Sequence, residues 1–412
     1  MAVLAGGRLR AARSEDVRRG NLSTLLTYVH VHGPTSRSRL TSTLSLNRST
    51  IGALTSELVG SGLVREESGG RPDRSTTGGA DAGGRPSYVV LPETERVQAL
   101  AIDIGVTHLT VARVGLGGVV LSRRDIPYRR GPRRVRDVVR SVGEVAGELA
   151  TEMGAGATYA GAGAAVPGIV RVPDGLVRQV PNLGWVDVPL AELLSGELGM
   201  PVAIGNDADL GVLAEHVRGA AVDVDDVVYL AGHSGIGAGV FTSGRPMVGH
   251  NGYAGEVGHV VVNPGGLECH CGSRGCWETE SGEERFFELA GRPPGGGLAC
   301  VREIVAAAAA GEEVAAVALT RVATWLGTGV ASVVNVFNPE AVIMGGALGE
   351  IFASAAPTVL AALDAAALPP TREQLRLLQP AFGIDSSLIG AAELAFTPLL
   401  ADPLFEMSRL TA

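Results

Sequence analysis

The chain has 412 residues, 46% of them apolar and only 4% aromatic, which is too long for one ordinary domain and ample for Ala-, Val- and Leu-built cores. No run of eighteen apolar residues is free of charges or turn signals, so no membrane-spanning helix is expected. The N-terminus has no apolar signal core before a cleavage site. Few cysteines, four in all, three of them in a metal pattern, fit a reducing cytoplasm.

Every basic residue is arginine. Residues 1–96 hold 13 Arg against 9 Asp and Glu, a local net charge of +4 within a chain whose formal charge is −9. A basic head on an acidic body points to nucleic acid as a partner of the head. Leu22, Leu25, Leu26 and Val29 recur at helical spacing until Gly33-Pro34 stops them. Thr35 or Ser36 can cap a second helix carrying Leu40 and Leu44. After the turn Ser45-Leu46-Asn47, Asn47 can cap a third, with Ile51, Leu54 and Leu58 inward. Three short helices with a tight turn before the third make a helix-turn-helix. Arg48, Ser49, Thr50 and Ser56 then face outward, with groups suited to base edges and phosphates in a major groove.

Strands at Leu63–Glu66 and Ser87–Leu91 complete a winged helix-turn-helix over residues 1–95. The segment between them contains Gly-Gly-Arg-Pro twice, and its Arg71, Arg74 and Arg85 could enter a minor groove. Residues 66–82 read equally well as a solvated linker. A small helical dimerisation module is the alternative for the whole unit.

From Val97 the pattern becomes α/β. Strand residues Leu100–Ile104 lead through a glycine turn into Leu109–Val114, and Gly115–Gly118 turns into Val119-Val120-Leu121. Val227–Ala231, the loop His233–Gly239, and Val240-Phe241-Thr242 repeat the layout. Two such units predict two related lobes, 96–205 and 206–412, with a ligand cleft between them. The arrangement resembles the actin and hexokinase type of fold. Asn206 and Asp207 follow a strand, where α/β folds hold ligands. An amide beside a carboxylate can bind vicinal hydroxyls, and the same pair can cap a helix.

The stretch Gly255–Glu278 holds Cys269, Cys271 and Cys276, with His259 upstream beside Glu256. Three thiolates and one imidazole fill a tetrahedral Zn²⁺ shell and leave no open position, so this zinc is structural. Buried cysteines in a loop are the bland alternative. Farther on, the apolar helices Leu348–Leu368 and Ala391–Leu400 suit either a subunit interface or a core.

Gly-Glu-x-Gly-His followed by Cys-x-Cys-Gly-x-x-Gly-Cys-x-Glu resembles the signature of the ROK family of bacterial sugar kinases and sugar-responsive repressors. The resemblance implies that Asp207 contacts a sugar hydroxyl, and is the general base if the chain is a kinase. It also implies sugar contacts from Asn206, Glu256, His259 and Glu278, and more loosely from Asn182 in Pro181–Trp185. A homodimer or homotetramer is implied too. The family's kinases carry Asp-x-Gly-Gly-Thr-Lys and Gly-Thr-Gly-x-Gly at their phosphate loops. Here Asp103, Gly105 and Thr107 persist, but Val106 replaces a glycine and His108 the lysine. Gly235 and Gly237 persist in the second loop, where His233 and Ser234 replace glycine and threonine. Lost charge and added bulk argue against Mg²⁺·ATP. The expectation is a regulator that binds double-stranded operator DNA and a small sugar, without a membrane; the alternative is an ATP-dependent sugar kinase with a fused DNA-binding unit.

Overall fold

The computed structural model describes residues 14–68 and 88–411; Arg71, Arg74 and Arg85 therefore lie outside the described residues. Helices α1 (Ser14–His32), α2 (Arg37–Thr43) and α3 (Arg48–Gly60) form in the expected order. Ser36 caps α2, its hydroxyl accepting from the Arg39 N–H at 3.2 Å. Asn47 caps α3, its amide oxygen accepting from the Thr50 N–H at 2.8 Å. Both oxygens satisfy amides that no helix carbonyl can reach. Leu22, Leu25, Leu26, Val29, Leu40, Ile51, Leu54 and Leu58 are buried in one cluster. Strands β1 (Thr35–Ser36), β2 (Val64–Ser68) and β3 (Tyr88–Pro92) pair antiparallel beside them, in the order β1-β3-β2.

The body opens with β4 (Val97–Ile104), β5 (His108–Gly115), β6 (Val119–Pro127), α4 (Val135–Ala150) and β7 (Thr158–Val166). A small sheet of β8 (Ile169–Arg171), β9 (Leu176–Val180) and β10 (Trp185–Val188) comes next, then α5 (Leu190–Leu198), β11 (Val202–Asn206) and α6 (Asp207–Arg218). The second half starts with β12 (Val227–Gly232), β13 (Ile236–Thr242) and β14 (Arg245–Pro246). After the cysteine loop come α7 (Trp277–Ser281), α8 (Glu283–Leu289), α9 (Gly297–Ala309) and α10 (Glu313–Phe337). The chain ends with β15 (Ala341–Gly345), α11 (Gly346–Ala366), α12 (Pro369–Arg372), β16 (Arg376–Leu378), α13 (Ser386–Ala401) and α14 (Pro403–Thr411).

The two large sheets have the same order, β6-β5-β4-β7-β11 and β14-β13-β12-β15-β16. In each, the first three strands form antiparallel hairpins and the last two add in parallel. The duplication expected from the two glycine hairpins is thus complete. α6 and α13 follow the last strand of each sheet and pack against each other. Gly390 makes that crossing possible, because a side chain there would meet the Leu210 carbonyl of α6. The apolar stripe of α13 is core: Leu388, Ala391, Ala395 and Phe396 are buried with Ala99 and Ala101 of β4.

One expectation needs correction. The helical segments Glu313–Phe337, Gly346–Ala366 and Gly383–Ala401 are long and apolar enough to cross a membrane by length and composition. Alanine raises their hydropathy without giving a continuous apolar run free of charges or turn signals. Their inner faces fill the body's cores, as Val322, Leu326, Val330 and Leu348 do in the second lobe.

Candidate functional site

A cleft of about 650 Å³ opens between the lobes, within the range of small-ligand sites. Arg130, Gly168 and Asn182 line it from the first lobe; Asp207, His233–Ala238, Glu256, His259 and Glu278 line it from the second. Asp207 starts α6. Its Oδ1 accepts from the Ala208 N–H at 2.9 Å, and its Oδ2 lies 3.8 Å from His233 Nδ1. Burial, and then the charge of Asp103, raise its pKa to about 7. Asp209, which the sequence reading passed over, also lines the cleft, and burial with Asp207 and Glu256 nearby raises it to about 7. Burial likewise pushes Glu256 up and His233 down.

Asn206 lines the cleft with its side chain engaged. Its Oδ1 accepts from the N–H groups of Ala208 and Asp209 at 2.8 and 3.2 Å, and its Nδ2 donates to the Gly168 carbonyl at 2.9 Å. It is the cap of α6 and a tie to the first lobe, so it positions Asp207. Asn182 is a bridge. Its Nδ2 donates to Ser234 Oγ at 2.9 Å across the lobes, and Arg130 donates to its Oδ1 at 3.2 Å. Arg130 and its partners Glu283 and Glu284 were also missed. Nothing in the sequence marks two elements 150 residues apart as facing each other.

The phosphate-loop residues divide. Gly235 and Gly237 line the cleft; Asp103, Gly105 and Thr107 do not. Asp103, at the end of β4, accepts from Ser387 Oγ at 2.8 Å. The His108 ring lies against Gly105, filling the space a side chain would take there, with Nε2 3.4 Å from Asp103 Oδ2. That contact raises the His108 pKa.

The cysteine loop folds into a tight knot. Gly275 has φ of 72°, and a side chain there would collide with the Asn263 carbonyl, so only glycine fits. His259, Cys269, Cys271 and Cys276 bring one ligand atom each to within 4.8 Å of one another. Cys271 and Cys276 sulfurs are 3.7 Å apart, and Cys269 Sγ is 3.6 Å from His259 Nδ1. The edges of a tetrahedron around Zn²⁺ with ordinary Zn–S and Zn–N bonds are about 3.5–3.8 Å, so the four residues fit this ion. Since Nδ1 faces the sulfurs, Nε2 of His259 remains for the cleft. Glu278 Oε1 is 3.2 Å from Cys269 Sγ and 3.3 Å from Nδ1 of His270, a histidine the sequence reading left out.

At the far end of the chain's first unit, Arg48, Ser49 and Ser56 are exposed on α3 and Thr50 is half-buried. Ser49 donates to Asn47 Oδ1 at 2.7 Å and Ser56 to the Gly52 carbonyl at 2.9 Å. Arg39 is exposed on α2, and neither it nor Arg48 has a carboxylate partner among the described residues.

A buried polar joint fastens this unit to the body. His30 of α1 is fully buried and Glu393 of α13 is 5% exposed. The Gly117 N–H donates to His30 Nδ1 at 2.9 Å, so the ring proton sits on Nε2 and is donated to Glu393 Oε2 at 2.9 Å. Arg218, the last residue of α6, donates to Glu393 Oε1 and to the Gly117 and Val31 carbonyls. Burial lowers the His30 pKa; burial acts to raise Glu393, but His30 and Arg218 outweigh it and hold the carboxylate below its usual range.

The profile of the ROK family matches residues 99–397. A putative xylose repressor of Caldicellulosiruptor sp. (strain Rt8B.4) is 30% identical over 82% of this chain and 86% of its own length. The DNA-binding transcriptional dual regulator NagC of Escherichia coli K12 is 26% identical, over 91% of this chain and 92% of its own. Among solved structures, a ROK family transcriptional regulator described as a homologue of the E. coli MLC protein superposes with a TM-score of 0.76 at 26% identity, over 95% of this chain and 99% of that one. A ROK family glucokinase from Streptomyces griseus, bound to glucose and AMPPNP, superposes with a TM-score of 0.61 at 26% identity, and its 98% covers only 72% of this chain. Duplicated sheets, interlobe cleft, cysteine–histidine knot and these likenesses agree: the chain belongs to the ROK family.

Proposed function

We propose that this protein is a sugar-responsive transcriptional repressor that holds operator DNA through residues 1–95 and a small sugar in the cleft between 96–205 and 206–412. One observation carries the reading. A DNA-suited helix surface and a sugar-suited cleft are parts of one packed body, joined through α6. A relative named as a putative repressor and one named as a DNA-binding regulator match 82% and 91% of the chain, whereas the glucokinase covers 72% of it.

In this reading the unit is a winged helix-turn-helix. α3 enters the major groove of double-stranded DNA with Arg48, Ser49, Thr50 and Ser56, Arg39 meets the phosphates, and Arg85 adds a further DNA contact. In the cleft, Asp207, Glu256 and Glu278 accept sugar hydroxyls and His259 Nε2 meets another. Asn206 and Asn182 fix the loops around them. Zn²⁺ held by His259, Cys269, Cys271 and Cys276 supplies rigidity, fixing the loop that presents Glu256 and Glu278. His108 over Gly105 and the branched Val106 leave the first phosphate loop unsuited to ATP, so Asp207 binds sugar without activating it for phosphoryl transfer.

Signal travels along α6. Asp207 at its first residue meets the sugar, and Arg218 at its last grips α1 through Val31 and the Glu393–His30 pair. Lobe closure on the sugar tilts α6 and thereby re-aims α1 and the helices beyond it. A homodimer or homotetramer in the cytoplasm converts that change into altered half-site spacing.

Selection from random DNA duplexes with the full-length, zinc-loaded protein tests the reading. One duplex family should be enriched, Arg48→Ala should weaken its binding by about 1–3 kcal/mol, and one sugar of a panel should change its affinity. Glu256→Ala should abolish the sugar effect and keep the DNA binding. Failure to prefer any duplex, or ADP release from Mg²⁺·ATP with a sugar, would sink the proposal.

A further inference from the structure

We infer that the sugar taken by this cleft bears no phosphate or other anionic group, and that Asp209 is a specificity-determining residue enforcing this. The inference rests on the sugar-site reading above and adds the ligand's charge class to it.

An anionic sugar is best held by a cation at its acidic group. Among the described residues every guanidinium group lining the cleft is paired with a carboxylate, and His270 Nδ1 stands 3.3 Å from Glu278 Oε1; the Gln179 amide and His259 Nε2 are left as single donors. The guanidinium groups are Arg130 and Arg285. Arg130 is spent on Glu284 and, at 3.5 Å, on Glu283; Arg285 is spent on Glu288 at 2.6 Å. Burial pushes the His233 pKa down. Zn²⁺ brings no surplus positive charge, because three thiolates exceed it. The glycine loop, which would otherwise present N–H groups to a phosphate, is occupied. Glu278 Oε2 stands 2.6 Å from where a Gly235 side chain would begin, and Ser234 Oγ already receives the Asn182 amide. A phosphate approaching Gly235 meets a carboxylate first.

The floor of the cleft carries the opposite chemistry. Asp207 and Asp209 stand on the first turn of α6, with Glu256 facing them. No side chain among the described residues forms a hydrogen bond or an ion pair within 3.5 Å with the Asp209 carboxylate. Three carboxyl groups with acceptor oxygens to spare are what hydroxyls or an ammonium group satisfy, and what repels an anion. Asp207 is accounted for by the first sugar hydroxyl; Asp209 adds a second negative group on the same turn. It discriminates by repelling the wrong ligand as much as by attracting the right one.

Calorimetry at pH 8 on the full-length, zinc-loaded protein tests this with matched probes: glucose, glucosamine and glucose 6-phosphate; N-acetylglucosamine and its 6-phosphate; and xylose. Within the series that binds, the phosphate should bind about 100-fold more weakly than its free sugar, and an amino form no more weakly than the neutral one. Asp209→Asn should narrow the gap to the phosphate about 10-fold while changing neutral-sugar affinity less, and Asp209→Ser should do the same if the first variant folds poorly. A 6-phosphate binding as tightly as its free sugar would overturn the charge inference and leave the sugar site standing. Binding of none of the probes would overturn the site reading and the inference with it. An unchanged gap in both variants would remove Asp209 from the role.

Discussion

Asp207 and Asp209 keep protons at a pH where water would strip them, because burial, with Asp103 near the first and Asp207 near the second, raises both to about 7. A carboxyl that binds its proton more tightly when folded stabilises the fold at low pH. That stability is present below the ordinary carboxyl pKa and is lost as pH rises through about 7. Asp209→Asn should therefore raise the melting temperature of the sugar-free protein at pH 8 and leave it nearly unchanged at pH 4, as scanning calorimetry would record. Cys271→Ser should release the ion, taking the metal content measured by plasma mass spectrometry from one zinc per chain to near zero and lowering the melting temperature. The knot was legible in sequence because cysteine spacing and glycines announce it. Asn206 was legible only as two alternatives, since a cap and a hydroxyl ligand use the same amide oxygen; the structure shows the cap, at the edge of the cleft. Asp209 stood two residues from Asp207 in plain view, but nothing local shows that both carboxylates reach one cleft.

Helices of the first unit were readable from their leucine periodicity and their capping Ser36 and Asn47. α13 was not, because an alanine stripe fits a core and an interface equally well, and only the sheet lying under it decides. The joint made by His30, Arg218 and Glu393 gave no sequence signal at all: 363 residues separate histidine from glutamate. Glu393→Gln leaves Arg218 and its neighbours without their buried counter-charge. It should cost about 3–5 kcal/mol of stability, seen in urea denaturation. At temperatures where the variant stays folded, sugar should still bind while its effect on DNA affinity shrinks.

Across the whole molecule, two sheets of one topology form the frame, and the chemistry sits in what is added to it. β8–β10 and the cysteine knot are such additions, one per half. The frame was predictable from two glycine hairpins; the return of α13 to the first sheet was not. α10 and α11 leave Val314, Val317, Val336 and Leu360 exposed, a face suited to a second copy of the chain. We propose that this face joins two copies; Val317→Glu with Leu360→Glu should then give monomers in light scattering, weaken operator binding and leave sugar affinity intact.

α6 links the cleft to the joint with α1, with Asp207 at one end and Arg218 at the other. Thermodynamics then leaves no room for one-way control. If sugar lowers the affinity for DNA by some factor, DNA must lower the affinity for sugar by the same factor. A repressor seated on its operator is therefore a poorer sugar binder than the free protein, and its threshold for release lies above the dissociation constant measured without DNA. In a cell, how tightly the operator is held helps set how much sugar counts as a signal.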